Sequence, residues 1–306
     1  MNVYSIEKVA ANAPEEQEPL GSKDKFWFGG GQRLFKAARN QSGEDWAERI
    51  SADIAGLLGL PHAQYELAEW ERGGLPVRGV VSRNFCAEGE SLAPGNELLS
   101  EVDPAYSPGR SKFRVSAHTV SRVLGVLEAN NAQLPLRWTP GAKIRQAAEL
   151  FVGYLMLDAL AGNTDRHHEN WGILRTARGD VHLAPTFDHA SSLGCHERDE
   201  TRRERLNTRD RQFAVEAYAA RARSALYRKE DDKRPLLTRE AFLDSARVHG
   251  AAGEYWLGVL GGIADGELAI LVDKVPEDRM SATAAEFAKR VLLSNKRALL
   301  DLLGGF

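Results

Sequence analysis

Hydrophobic positions in the first 85 residues follow two different periods. Lys25–Phe28 (KFWF) and Arg33–Ala37 (RLFKA) are short apolar-rich runs around Gly29-Gly30-Gly31, which predicts two strands joined tightly by residues that tolerate positive φ. From Trp46 onward the spacing changes: Ile50, Ile54, Leu57 and Leu58 recur as one stripe of an amphipathic helix. Ser42, three residues before Asp45, is the expected cap, and Gly59 and Pro61 close the helix. Two further strands are predicted over Gln64–Glu71 and Val77–Arg83 around a Gly73-Gly74 turn. The order strand–strand–helix–strand–strand describes a small sheet with one packed helix. Residues 11–20 (ANAPEEQEPL) read as an acidic, mobile lead-in.

After Phe85 the pattern becomes helical. CAEGESLAPGNELL is a connector bearing glycine and proline, followed by helical periodicity over His118–Asn130 and Ala142–Ala161. A hairpin is expected from Trp171–Leu174 and Val181–Leu183 around Ala177-Arg178-Gly179-Asp180, then helices over Phe213–Tyr227, Arg239–His249, Ala251–Gly262 and Ala282–Leu303. The fold class is therefore α+β with two lobes: a lead-in over 1–20, a small β-rich lobe over 21–85 and a larger helical lobe over 86–306.

Composition adds little beyond exclusions. With 306 residues, 43% hydrophobic and 27% charged, the chain can build a sizeable globular core. A net charge of −3 offers no bulk basic field, so direct nucleic-acid binding is not expected. Cys86 and Cys195 are too few for a disulfide scaffold or a four-cysteine zinc site. The N-terminus lacks a secretory pattern, and the most apolar stretch, Leu150–Ala161, is too short to span a bilayer and carries Asp158. No membrane association and a cytoplasmic location are the default expectations.

The chemistry concentrates in AGNTDRHHENWGIL and VHLAPTFDHASSLG. Asp165 lies in a polar loop after the buried helix, Asn170 just before the hairpin and Asp188 just after it, so the hairpin should bring the last two together. For Asp165 and Asn170 alone, an Asx-turn loop in which Asn163 and Asp165 bond their own backbone is the favoured reading; the hairpin and Asp188 reverse it, because three functional groups then converge on one motif. Phosphoryl transfer uses such a set: one carboxylate for the attacking hydroxyl, and a second carboxylate with an amide for magnesium.

GNTDRHHENWGIL followed by LAPTFD resembles the catalytic and metal-binding loops of HipA-like kinases. The resemblance extends from about Gly21 to Leu303 and implies a two-lobed kinase-like fold that transfers the γ-phosphate of ATP to protein serine or threonine. It implies Asp165 as catalytic base, Asn170 as a magnesium ligand, Asp188 in place of the DFG aspartate and His167 as a residue shaping the catalytic loop. FDH stands where other kinases have DFG, so no glycine-dependent flip of that loop is implied.

The upstream half fits the same pattern. Gly21, Ser22 and Lys23 begin the phosphate-covering loop, with Ser22 a candidate for autophosphorylation, and Lys36 takes the place of the ATP-binding lysine. Glu48 is its expected partner, beyond the first helical turn in which the helix dipole explains Glu44 and Asp45. Arg83, Asn84 and Phe85 stand at the adenine-holding hinge. The extra N-terminal subdomain of longer relatives is not seen. An antitoxin partner, as some relatives have, is implied by resemblance alone.

Three other chemistries stay in view. His167, His168, His182, His189 and His196 crowd the 165–196 segment with Asp165 and Asp188, as a metal-dependent phosphohydrolase would require, although neither H-E-x-x-H nor a His-Asp dipeptide occurs. A nucleotide-binding module without catalysis would need fewer of these charges. A lipid or small-molecule alcohol could replace the protein acceptor, because the donor side would look alike. The mixed-charge run Glu197–Arg211 reads as a solvated surface or a mobile segment following Asp188.

Overall fold

The computed structural model describes residues 2–17, 24–106, 114–139, 141 and 143–306. Strands β1 (Ile6–Val9), β2 (Glu16–Gln17), β3 (Lys25–Phe28), β4 (Arg33–Ala37), β5 (Tyr65–Arg72) and β6 (Leu75–Arg83) form one sheet in the order β1-β5-β6-β4-β3-β2. Only the β1–β5 pairing is parallel, with Ile6 opposite Leu67. Helix α1 (Glu44–Leu57) covers one face, burying Ile50 and Ile54 with Leu67 and Val80. The alternation of strand side chains sends Phe26, Phe35, Ala68 and Val81 to the opposite face, where Trp70 closes an aromatic cluster. Gly29, Gly30 and Gly31 take φ of 64°, 67° and 73° between β3 and β4, as the triple glycine predicts.

The N-terminal segment is not a detached lead-in. β1 and β2 supply both edges of the sheet, because paired backbone groups are more stable than an open strand edge. Tyr4 donates to Asp53 on α1, and its backbone N–H donates to the Lys274 carbonyl. The acidic character of 11–20 has a local use at Glu15, whose carboxylate accepts from the Gly30 N–H at 2.9 Å.

Two details of α1 differ from expectation. Gly43, not Ser42, occupies the N-cap, and the Ser42 hydroxyl donates to the Arg39 carbonyl. Leu57 is exposed, and Leu58 just past the helix fills the core instead. Glu44 and Asp45 are buried, so the helix dipole alone does not account for them. Glu44 accepts from the backbone and guanidinium of Arg39, and Asp45 pairs with buried Arg279 at 3.2 Å.

The connector after Phe85 is ordered structure: β7 (Glu90–Pro94) leads into α2 (Gly95–Val102). β7 joins β8 (Gly172–Thr176) and β9 (Val181–Leu183) in a second sheet, so the predicted hairpin gains a third strand. Sequence alone could not show this, because SLAP becomes a strand only when Ile173 and its neighbours lie beside it.

Around these strands pack α3 (Val120–Ala129), α4 (Ala147–Ala161), α5 (Asp199–Asn207), α6 (Val215–Ala220), α7 (Thr238–Val248), α8 (Gly250–Gly262), α9 (Asp265–Asp273) and α10 (Ala282–Leu300). Helix α4 is the axis of this lobe, with every residue but Glu149 buried. It ends at Gly162, whose φ of 68° suits glycine. The helix expected over 213–227 stops at Ala220, because the backbone of Ser224 and Tyr227 bonds instead to Leu236 and His118. Helices α5 and α9 were not anticipated; α5 forms within the mixed-charge run. Among the described residues no single helix is long and apolar enough to cross a membrane, and α8 and α9, bent by 71°, bury Trp256, Leu260 and Leu268 in the core.

Arg279, just before α10, ties the two lobes. Fully buried, it bonds Asp45 on α1, the Ala68 carbonyl on β5 and Glu69, each at 3.2 Å. Removing one member of a buried ion pair strands the other charge. Arg279→Met should therefore cost about 3–5 kcal/mol of unfolding free energy. Urea denaturation measures it, and an unchanged midpoint would show that Asp45 does not depend on this partner.

Candidate functional site

The site is assembled around one buried guanidinium. Arg166 (0% exposed) makes a two-pronged bond to Asp158 on α4, with Nε and Nη2 each at 2.8 Å from a carboxylate oxygen. Its Nη1 donates to the carbonyls of Asn170 (2.6 Å) and Phe187 (3.1 Å), and Nη2 also reaches the Thr186 hydroxyl. One nitrogen thus draws the residue before the hairpin and the residue preceding Asp188 to the same point. An acid inside an apolar helix needs such a partner, since an unpaired buried charge is very costly.

The loop after α4 is set by further local bonds. Asn163 donates to Asp158 and accepts from the Asp165 N–H, and the Asn170 amide donates to the Asp165 carbonyl at 2.7 Å. That bond spends Nδ2 of Asn170 and leaves Oδ1 as the acceptor end. His167 Nδ1 accepts from the Glu169 N–H, so in the neutral ring the proton sits on Nε2, the atom facing Asp165 at 3.9 Å. The Asx-turn alternative is therefore present, at Asn163, in the same loop as the converging groups. Asp165, Asn170 and Asp188 are linked by this network.

From the small lobe, Lys36 on β4 reaches Asp188 at 2.9 Å and Glu48 on α1 at 3.7 Å. Burial works against the ammonium, but Asp188 with Tyr65 and Glu48 outweighs it and holds the Lys36 pKa well above its ordinary value. Glu48 is fully enclosed; burial alone would raise its pKa, yet Lys36 and the bond to His189 hold it below the usual carboxylate range. The His189 N–H donates to Glu48 at 2.6 Å, and its ring is shared between Glu48 and the Thr186 hydroxyl. Asp188 takes φ of 59°, a left-handed conformation that aspartate accepts more readily than most residues. Its N–H donates to the Tyr65 hydroxyl at 3.2 Å. Backbone bonds from Ala63 to Thr186 and from Thr186 to Pro61 join this segment to the small lobe.

The remaining expected residues are more dispersed. Phe85 packs on Phe187, with ring centroids 5.7 Å apart. Asn84 ties down the triple-glycine turn, donating to the Gly31 carbonyl and accepting from the Cys86 N–H. Arg83 sits opposite Arg33 on the face of the sheet away from Lys36, where it borders a 550 Å³ surface cavity with Glu7 and Glu66. Gly21, Ser22 and Lys23 lie outside the described residues.

The clustered histidines diverge rather than converge. His168 bonds Tyr106, His182 bonds the Leu134 carbonyl, and His189 serves Glu48 and Thr186. Among the described residues no group of three or more His, Cys, Asp or Glu side chains could hold a metal ion. Sequence reasoning overlooked Arg166 and Tyr65, gave Asp158 no partner and placed His189 only in a metal-binding histidine cluster. Asp158 carried a usable signal: an acid in an otherwise apolar helix calls for a buried cation nearby.

No protein-family model and no curated protein sequence matches the chain. Among solved structures, its fold is similar to that of the proinflammatory kinase CtkA of Helicobacter pylori, with a TM-score of 0.69, 20% identity and 96% of each chain covered. It is also similar to HipA of Shewanella oneidensis, solved with HipB and operator DNA of a toxin–antitoxin system, with a TM-score of 0.57, 13% identity and coverage of 94% of this chain and 68% of that one. At these identities the likeness establishes the fold, a two-lobed α+β kinase-like architecture.

Beneath the hairpin, His118 Nε2 accepts from the Trp171 indole at 3.1 Å, and its Nδ1 faces the Ala225 carbonyl. Burial, with His168 beside it, pushes its pKa down to about 3. The unfolded chain takes up a proton near pH ~6.5 that the folded chain refuses, so stability is full above that pH and falls as pH drops toward the folded value. The loss from this group should approach about 1.4 kcal/mol per pH unit. Denaturation at pH 6.5, 5.5 and 4.5 tests this; His118→Gln should flatten the slope relative to wild type, and an identical slope would exonerate His118.

Proposed function

We propose that this chain is an ATP- and magnesium-dependent protein serine/threonine kinase of the HipA type. The observation that carries the proposal is the meeting of Lys36, Glu48 and Asp188 beside the loop holding Asp165 and Asn170. Two buried or half-buried carboxylates share one ammonium, and Asn170, whose Nδ2 donates to the Asp165 carbonyl, sits in the loop that Arg166 ties to the residue before Asp188. This donor set fits magnesium, which takes oxygen ligands and needs only one or two from the protein when phosphates supply the rest. The likeness to two proteins described as CtkA kinase and HipA supports the same conclusion.

When bound, ATP with magnesium supplies the γ-phosphoryl group and neutralises the charge that develops on it. Lys36, kept protonated by Asp188, Tyr65 and Glu48, would hold the α/β-phosphates. Glu48, fixed by the His189 N–H, would keep the ammonium in place, and Asp188 with Asn170 would hold the metal. Asp165 would align a serine or threonine hydroxyl and accept its proton; Nε2–H of His167 would steady the carboxylate. Rate enhancement would then come from positioning and charge neutralisation.

A cytoplasmic setting suits ATP-dependent transfer. An antitoxin-type partner is proposed from HipA, which stands with HipB and operator DNA; in such an assembly the chain's own charge would not decide nucleic-acid contact. A capacity for autophosphorylation, at no assigned residue, belongs to the same proposal.

Asp165→Ala should reduce phosphotransfer about 10²–10⁴-fold and leave ATP affinity near wild type, because its role is toward the acceptor. Labelled ATP with magnesium, followed by mass spectrometry of the protein and a lysate, measures both; normal turnover would remove Asp165 from the mechanism. Asp188→Asn should weaken nucleotide binding only when magnesium is present. Equal loss with and without the ion in calorimetry would separate Asp188 from the metal.

A further inference from the structure

A cavity of about 230 Å³ opens beside the catalytic loop, between the end of α4, the segment following Asp188 and the region around α6. Among the residues bordering it are Thr164, Ser192, His196, Arg205, Arg221 and Arg223. No carboxylate borders it among the described residues. Thr164 immediately precedes Asp165, and its N–H donates to the Ser191 carbonyl at 3.1 Å, so the cavity wall and the proposed base belong to one short loop.

The charges in this wall are unequally satisfied. Arg205 is anchored by Glu197 at 3.1 Å and by the Phe213 carbonyl. His196 lies 3.9 Å from Glu44. Arg223 bonds only the Pro235 carbonyl, a neutral acceptor, and Arg221 has no carboxylate partner among the described residues; both are exposed. Ser192, also in the lining, is 1% exposed, and its hydroxyl has no hydrogen-bond partner among the described residues. A buried hydroxyl left unpaired costs free energy that a ligand oxygen would return. Arginine pairs with phosphate and carboxylate oxygens in charge-assisted, often two-pronged bonds.

We propose that this cavity is a subsite for an anionic residue of the acceptor polypeptide, a phosphorylated or acidic side chain close in sequence to the hydroxyl that receives phosphate. It rests on the kinase function proposed above and adds to it a substrate class. The anion would lie against Arg221 and Arg223 with an oxygen toward Ser192, and the chain leaving the pocket past Thr164 would present its hydroxyl at Asp165.

Binding can be measured without ATP, so the test does not need phosphotransfer. Fluorescence anisotropy would compare three sets of labelled peptides with a central serine, carrying phosphoserine, glutamate or alanine at one to four positions on either side. At least one anionic set should bind about tenfold or more tightly than the alanine set, which is the size of effect expected for charge-assisted bonds. The Arg221→Ala/Arg223→Ala double variant, checked for an unchanged unfolding midpoint, should lose that preference; Arg178→Ala, in the distant hairpin turn, should keep it. Whichever of phosphoserine and glutamate binds tighter identifies the source of the anion. Equal affinity for all three sets, or a preference that survives in the double variant, overturns the subsite. A preserved peptide preference with no labelling from ATP would instead overturn the kinase function alone.

Discussion

The Arg166 guanidinium is shared among four acceptors from three stretches of chain: Asp158 on the central helix, the Asn170 carbonyl, and the Thr186 hydroxyl with the neighbouring Phe187 carbonyl. It brings the loop after α4 and the segment after β9 together at one side chain, and the Thr164 N–H on the Ser191 carbonyl ties the same two stretches further along. The chain can bury this charge because Asp158 returns a two-pronged bond and the carbonyls satisfy the remaining N–H groups, the condition under which a buried ion pair is tolerated. Asn170 and Asp188 acquire their relative positions as a consequence, since each is at, or next to, a residue whose carbonyl Arg166 holds. The interaction is structural, yet the candidate chemistry depends on it.

A second layer of charge joins the lobes. Lys36 belongs to the small sheet, Asp188 to the helical lobe and Glu48 to α1 between them, so the ion-pair set is also a mechanical contact. Arg279 with Asp45, the Tyr4 N–H on the Lys274 carbonyl and the backbone bonds of Thr186 to 61–63 hold α1 and its sheet against the larger lobe. With α1 clamped at its first turn by Arg279 and along its length by core packing, Glu48 has little freedom to leave Lys36. Any opening between the lobes would have to strand buried charges, which argues for a small-lobe helix that stays in place.

Much of the architecture was legible from local pattern. The stripe Trp46, Ile50, Ile54 has the period of a helix, the triple glycine between KFWF and RLFKA permits a turn few other residues allow, and the run from Leu150 to Ala161 is too apolar to be exposed. Where expectation missed, a distant partner had decided the outcome. SLAP became a strand because β8 lay beside it, residues 6–9 became an edge because β5 offered one, and 221–227 left the helix because their backbone groups found His118 and Leu236.

The same division runs through the site. The identity and order of Asp165, Asn170 and Asp188 around a hairpin, and the presence of Lys36 on a strand and Glu48 on a helix, were readable because strand and turn signals act over a few residues. Which acid Lys36 meets at the shorter distance, which face Arg83 takes and where five neighbouring histidines point were settled only by folding. Side chains three residues apart on a strand face opposite ways, and adjacent histidines in a loop diverge, so proximity along the chain does not carry over into space. Pairing across long separations depends on which buried charge reaches which partner at the lowest desolvation cost, a property of the whole packed core and of no single stretch of sequence.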